Sequence, residues 1–331
     1  MDIEARIKRR QRHDGEPRLV QDYETLSPVT HIDEPADRGP LLERLLDHLD
    51  PVFDGKLPAN AYLYGPNGVG KSAVVTALFS ELNQLPTETR TVIHTTTRAQ
   101  SLTSPSFVYL DTRQTTSEFA FYHAVLDALV EESVPEHGIG TETLRARLHD
   151  ELDGSRIGVV VAVDHVGEPR SASESDLVDL FAGLPSNVSW LAMGRKRPAE
   201  TELVEYTAES IRVDPYQQQM LVDVLMTRAS IGLSQQAIVH GLAAQISSWA
   251  NGNAHDALAA LFIATHHAEQ AGRSALTRTD VEAAIEEIPI PCVSLGIVLA
   301  LPANRQAVLR ELVDLDEEER SSVTATTAAI G

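Results

Sequence analysis

The sequence has a single cysteine, Cys292, and only four lysines, Lys8, Lys56, Lys71 and Lys196, in 331 residues. One cysteine excludes an internal disulfide and a multi-cysteine zinc site. With lysine nearly absent, arginine supplies almost all of the positive charge. No apolar stretch approaches the roughly 18–20 residues needed to cross a bilayer. The polar, basic N-terminus lacks the apolar core of a secretory signal. The chain reads as soluble and cytoplasmic, with no membrane partner.

Acid is what the sequence has in excess. Lys and Arg number 27 against 48 Asp and Glu, a formal net charge of −21. Such a surface repels phosphate backbones at low salt and argues against a general nucleic-acid coat protein. Acidic excess with few lysines resembles the proteins of salt-accumulating halophilic archaea, with an acidic mesophilic protein as the alternative. In about 1 M salt the Debye length is about 3 Å, so the self-repulsion is largely screened. Against this background Arg6, Lys8, Arg9, Arg10 and Arg12 make a basic arm in residues 1–20, either a solvated tail or a phosphate contact.

At roughly 150 residues per domain the length predicts about two domains. Leu41, Leu42, Leu45, Leu46 and Leu49 fall on one face of a helix over 40–53. Short apolar strands are expected at 61–64, 91–94, 107–111, 159–163 and 188–193. Helices are expected at 73–82, 119–130 and 144–152. Strands alternating with helices predict a doubly wound α/β domain. After Arg212 the pattern is helical only, with helices over 217–228, 235–250, 254–271 and 279–288. The segment beyond Pro289 predicts one helix, 304–313, then a weak tail.

The strongest motif is GPNGVGKS, the residues Gly65, Pro66, Asn67, Gly68, Val69, Gly70, Lys71 and Ser72. It matches the phosphate-binding loop and lies between a strand and a helix. The glycines permit backbone angles that turn successive N–H groups toward an anion. The helix N-terminus adds its dipole, Lys71 reaches the β and γ phosphates, and the Ser72 hydroxyl can ligate Mg²⁺. The strand 159–163 then delivers Asp164 to the same sheet edge, where an Asp holds the Mg²⁺ water shell. ATP or ADP with Mg²⁺ is the expected ligand, with Ser72 and Asp164 as metal residues. The position after Asp164 is His165, the candidate catalytic residue, with Glu168 close behind.

With these residues placed, the chain resembles the archaeal replication initiators related to the origin recognition complex and the cell-division-control helicase loader, which are AAA+ ATPases. The likeness rests on Asp33–Leu41 before the loop, Phe107–Asp111 followed by Glu118–Leu129, and Val213–Tyr216 followed by Leu221, Leu225 and Arg228. It implies an AAA+ P-loop domain, a parallel sheet flanked by helices, followed by a small all-helical lid. It also implies that Tyr216 lies by the nucleotide base and Arg228 near its phosphates. Origin DNA, the replicative helicase and other initiator subunits are the implied partners.

Three positions depart from that pattern. The residue after Asp164 is His165 where an active ATPase has Glu. The lid pattern reads Gly252-Asn-Ala-His255-Asp256-Ala-Leu258, placing His255 where the γ-phosphate-sensing arginine belongs. No asparagine stands at Gly194-Arg195, where one polarises the attacking water. Nucleotide binding with weak hydrolysis is expected. The division expected is a basic arm at 1–20, the nucleotide-binding domain at 21–212, the lid at 213–289, and a linker with an incomplete winged-helix-like segment at 290–331. A regulatory paralogue that binds nucleotide and protein partners without recognising origins remains an open alternative, as does a general P-loop ATPase. Arg195-Lys196-Arg197 is a secondary DNA-contact candidate, set against a solvated loop; His266-His267 reads as helix surface and Cys292 as a small packed hydrophobe.

Overall fold

The computed structural model describes residues 18–32, 35–85, 104–130, 132–154, 158–289, 292, 295–316, 319–320 and 322–330. The basic cluster at 6–12, the strand expected at 91–94, and Asp33 and Glu34 lie outside the described residues. Five strands form one parallel sheet: β1 (Ala61–Tyr64), β2 (Ser106–Asp111), β3 (Val159–Val166), β4 (Val188–Gly194) and β5 (Glu209–Arg212), in the order β2-β3-β4-β1-β5.

A parallel sheet needs cover on both faces, and strand periodicity divides the side chains between them. Leu63, Val160, Leu191 and Ile211 face α1 (Gly39–Leu49) and α2 (Lys71–Gln84). Tyr62, Val161, Val163 and Trp190 face α3 (Glu118–Leu129), α4 (Thr141–Gly154) and α5 (Glu174–Ala182). The carboxyl ends of the strands converge on one edge, where Tyr64 is in register with both Gly194 and Arg212. Ligands of open α/β sheets bind at such an edge.

The helical part comprises α6 (Gln218–Gly232), α7 (His240–Ala250), α8 (Ala254–Gln270) and α9 (Arg278–Glu287) around their own apolar cluster. Leu19, Val20 and Leu26 also belong to that cluster. Gln21 N–H donates to Gly232 O at 2.8 Å, and Ser234 N–H donates to Leu19 O at 2.8 Å. Residues 19–26 thus pack with the lid before the chain enters the α/β layer.

Several boundaries moved for local reasons. The helix expected to run through Phe53 ends at Leu49, and a 3₁₀ turn over Asp50–Asp54 follows, closed by Gly55 at φ 71°. The helix expected from Gln235 begins at His240, because Gln236 takes φ 61° in a turn. The last lid helix starts at a Thr277 cap, where Thr277 N–H donates to Asp280 Oδ2 at 2.8 Å and Asp280 N–H donates to Thr277 Oγ1 at 3.4 Å. Beyond the lid lie α10 (Leu295–Leu299), α11 (Ala303–Asp314) and α12 (Val323–Ile330), the last of them in the stretch expected to be a weak tail. No helix among the described residues is long and apolar enough to cross a membrane.

Candidate nucleotide-binding site

The loop between β1 and α2 has the backbone shape that its glycines permit. Gly68 and Gly70 sit at φ 66° and 82°, in the left-handed region that L side chains rarely adopt. Gly65 packs so closely on β5's exit that an added Cβ would lie 2.3 Å from Val213 O. Val69 is buried with the sheet cluster and anchors the loop from below. Pro66 offers its carbonyl inward, and Asn67 lines the cavity above.

Lys71 is 9% exposed and donates from Nζ to Gly65 O at 2.8 Å and to Pro66 O at 2.9 Å. Burial pulls its ammonium down to about 8, with the Asp164 charge opposing that shift. Beside it Ser72 Oγ donates to Asp164 Oδ2. Asp164 is 1% exposed and also accepts from Tyr109 Oη at 2.6 Å and from His165 N–H at 2.6 Å. Burial, and then the charge of Asp164, push the Tyr109 phenol upward. The sequence reading had passed over Tyr109; its alternation on β2 marked it only as a strand residue.

His165 takes φ 62° where the β3–β4 register shifts between Val163 and Val166. The irregularity turns the imidazole between two carboxylates, with Nε2 3.5 Å from Asp164 Oδ2 and Nδ1 3.2 Å from Glu168 Oε1. Arg195 Nε lies 2.8 Å from that same Glu168 oxygen. Burial by itself would raise the Glu168 carboxyl. The hydrogen bond from His165, its charge, and those of Arg195 and Arg113 outweigh burial, and the group is lowered. Lys196 pairs with Glu174 at 2.7 Å, so two of the three basic residues 195–197 are engaged within the chain.

The lid closes the other side. Asn253 caps α8, and the next residue, Ala254, donates its N–H to Gly68 O at 2.8 Å. Tyr216 is buried, with its hydroxyl against Gly70 and one ring face covered by Arg38, whose guanidinium carbon is 3.5 Å from the ring centroid. Arg228, also buried, donates to Thr25 O at 2.6 Å and to Thr30 O. It lines the cavity, yet both terminal nitrogens are taken by carbonyls of the preceding segment, a role that the resemblance did not imply. His255 lines the same cavity, and its Nε2 is buried without a hydrogen-bond partner.

These parts enclose a cavity of about 170 Å³ reached by Asn67, Gly70, Ser72, Asp164, Tyr216 and His255. A separate cavity of about 320 Å³, between Thr115, Glu118, Tyr122, Arg145, Asp176 and Leu180, contains no part of the phosphate loop. The left-handed glycines, the buried ammonium and the α2 N-terminus suit a polyphosphate in the smaller space. Ser72 and Asp164, already in contact, supply the hydroxyl and carboxylate oxygens that Mg²⁺ prefers.

Residues 34–191 match the AAA ATPase domain family. An ORC1-type DNA replication protein of Sulfurisphaera tokodaii is 26% identical over 325 residues, covering 93% of this chain and 76% of the relative. One from Halobacterium salinarum is 26% identical over 271 residues, covering 76% of this chain and 62% of that protein. Residues 34–191 thus carry an AAA ATPase domain, and the chain as a whole is similar to archaeal ORC1-type DNA replication proteins. Its fold is shared with the Aeropyrum pernix ORC1 protein solved in complex with DNA, at TM-score 0.67 and 23% identity over 91% of this chain and 78% of that one. It is shared too with Cdc6p from Pyrobaculum aerophilum, at TM-score 0.64 and 18% identity over 94% and 83%. The Aeropyrum pernix ORC2 protein, solved as ADPNP–ADP complexes, has TM-score 0.62 and 18% identity over 88% and 78%.

Proposed function

We propose that this chain acts in DNA replication initiation as an ATP-bound switch that hydrolyses its nucleotide slowly. The observation that carries the reading is that phosphate loop, Asp164 and lid meet around one cavity, in a chain whose relatives are named as replication proteins. Gly65–Ser72 would cradle the phosphates, with Lys71 leaving its loop carbonyls for them. Tyr216, with Arg38 on one face, would flank the base. Arg228 would hold the 25–30 segment against the nucleotide. Mg²⁺, when bound at Ser72 and Asp164, neutralises and orients phosphate charge.

Slow turnover follows from where the candidate bases are tied. A general base must reach a water with a free acceptor. Both ring nitrogens of His165 face carboxylates, and Glu168 is held by His165 and Arg195. The same observation suits the second reading equally, a regulatory paralogue that binds nucleotide and protein partners without recognising origins.

The experiment is an allele carrying Lys71→Ala, with marker frequency measured across the chromosome. Loss of a replication peak supports initiation through this site. An unchanged profile, with nucleotide affinity abolished in the purified variant, leaves the regulatory reading. Unchanged nucleotide affinity in molar KCl overturns the site itself.

A further inference from the structure

Outside the phosphate cradle, one cluster of metal-ligating side chains stands among the described residues. His255, Asp256 and Cys292 bring a ring nitrogen, a carboxylate oxygen and the thiol sulfur within 4.8 Å of one another. They come from two parts of the fold. His255 and Asp256 occupy the first turn of α8, the helix whose N-terminus is bonded to Gly68. Cys292 follows the lid and packs against its apolar cluster.

The imidazole has unmet demand. Its Nδ1 lies 3.3 Å from Asp256 Oδ1, while Nε2 is fully buried and has no hydrogen-bond partner. A buried polar nitrogen without a partner costs about 1–3 kcal/mol and calls for an explanation. A cation held through that nitrogen would meet the demand, whereas one held through Nδ1 would replace its contact with Asp256. The Cys292 thiol stands in hydrogen-bond contact with the Asp256 carboxylate. Metal binding would displace the thiol proton and satisfy sulfur, carboxylate and imidazole together.

We propose that His255, Asp256 and Cys292 form a divalent-cation site suited to Zn²⁺, which pins the segment after the lid to the helix that closes on the phosphate loop. Thiolate, imidazole and carboxylate together select a borderline ion such as Zn²⁺ over Mg²⁺, which prefers oxygen alone. Three protein ligands leave a fourth position for water. The site uses neither Ser72 nor Asp164 but shares His255 with the lining of the nucleotide cavity.

The test uses the full chain, stripped of metal with a chelator and titrated with Co²⁺ in molar KCl. One equivalent should produce a thiolate-to-cobalt charge-transfer band, since Cys292 is the sole sulfur donor of its kind. Zn²⁺ should abolish the band and Mg²⁺ should not. Cys292→Ser, a nearly isosteric change at a half-buried position, should remove the band and weaken Zn²⁺ binding at least about tenfold, with the fold confirmed by circular dichroism. His255→Gln should weaken Zn²⁺ binding to a similar degree. Absence of the band at saturating Co²⁺, or Zn²⁺ affinity unchanged in Cys292→Ser, overturns the proposal.

Discussion

Ala254 and Gly68 are joined by a backbone hydrogen bond of 2.8 Å that ties the first residue of a lid helix to the middle of the phosphate loop. The closeness is possible only because Gly68 lacks a side chain. An added Cβ would lie 1.7 Å from Asn253 Oδ1, at a φ of 66° that penalises any L residue. Gly68→Ala should therefore cost about 1–3 kcal/mol in strain and push the lid from the loop. Nucleotide affinity measured by calorimetry should fall at least tenfold, with a lower melting temperature in the nucleotide-free protein.

Lys71 gives a pH signature. Its ammonium is held down to about 8 by burial, against an ordinary value of 10.5. Between these values the unfolded chain binds the proton and the folded chain does not, so stability rises with pH across that window. Lys71→Met should flatten that rise in urea titrations. Phosphates beside Lys71 restore its charge, so ATP binding should take up a proton near pH 8. Affinity should weaken as pH climbs through that point, and calorimetry in buffers of different ionisation enthalpy should read the uptake directly.

His165 sets the expected turnover. Losing a water-activating carboxylate typically costs on the order of 10²–10⁴ in rate. The wild-type chain should hydrolyse ATP slowly, and His165→Glu should raise turnover tenfold or more, measured as phosphate release in molar KCl. Fast wild-type hydrolysis that disappears in Lys71→Ala would mean that His165 or Glu168 serves as base despite its carboxylate and arginine partners.

Arg228 separates holding from phosphate contact. Its guanidinium donates to Thr25 O and Thr30 O. Charged hydrogen bonds of this kind contribute about 1.5–3 kcal/mol, so Arg228→Ala should destabilise the protein by that order even without nucleotide. A variant that melts normally but loses ATP affinity would assign the side chain to the phosphates instead.

DNA binding should be weak at high salt. Arg195 and Lys196 are spent on Glu168 and Glu174, and the chain carries a net charge of −21. Any phosphate contacts should be lost with a slope of about −0.9 per neutralised phosphate on a log–log salt plot. Anisotropy on origin and random duplexes across a salt series measures it. Tight, origin-selective binding in molar salt would show that this chain reads DNA itself.

The phosphate site was legible because its chemistry demands fixed spacing, and the spacing survives in Gly65–Ser72. Asp164 was legible for a related reason, since Val159–Val163 is apolar enough to be a doubly buried strand. Strand β5 escaped notice because only Ile211 of Glu209–Arg212 is buried, so no alternation stands out. Helix α5 hid behind Ser171–Ser175, whose composition reads as loop while Ser173 in fact caps the helix by accepting from Asp176 N–H. What no pattern could carry was side-chain allegiance: that Glu168 holds His165 and Arg195, or that Arg38 covers Tyr216. Those depend on how distant segments meet.

The seating of Leu19, Val20 and Leu26 among the lid helices gives the lid two covalent hinges rather than one. The chain crosses from lid to sheet between Leu26 and Gly39, and crosses back at Val213. Any swing of the lid must therefore carry the segment with Pro28, Val29 and Ala36 along, and those residues line the nucleotide cavity. The doorway would open on both jambs together. A chain cut between Ser27 and Arg38 should lose that coupling, and with residues 19–26 released would expose Leu233 and part of the lid's apolar cluster to water. Nucleotide exchange should then quicken before the sheet itself begins to unfold.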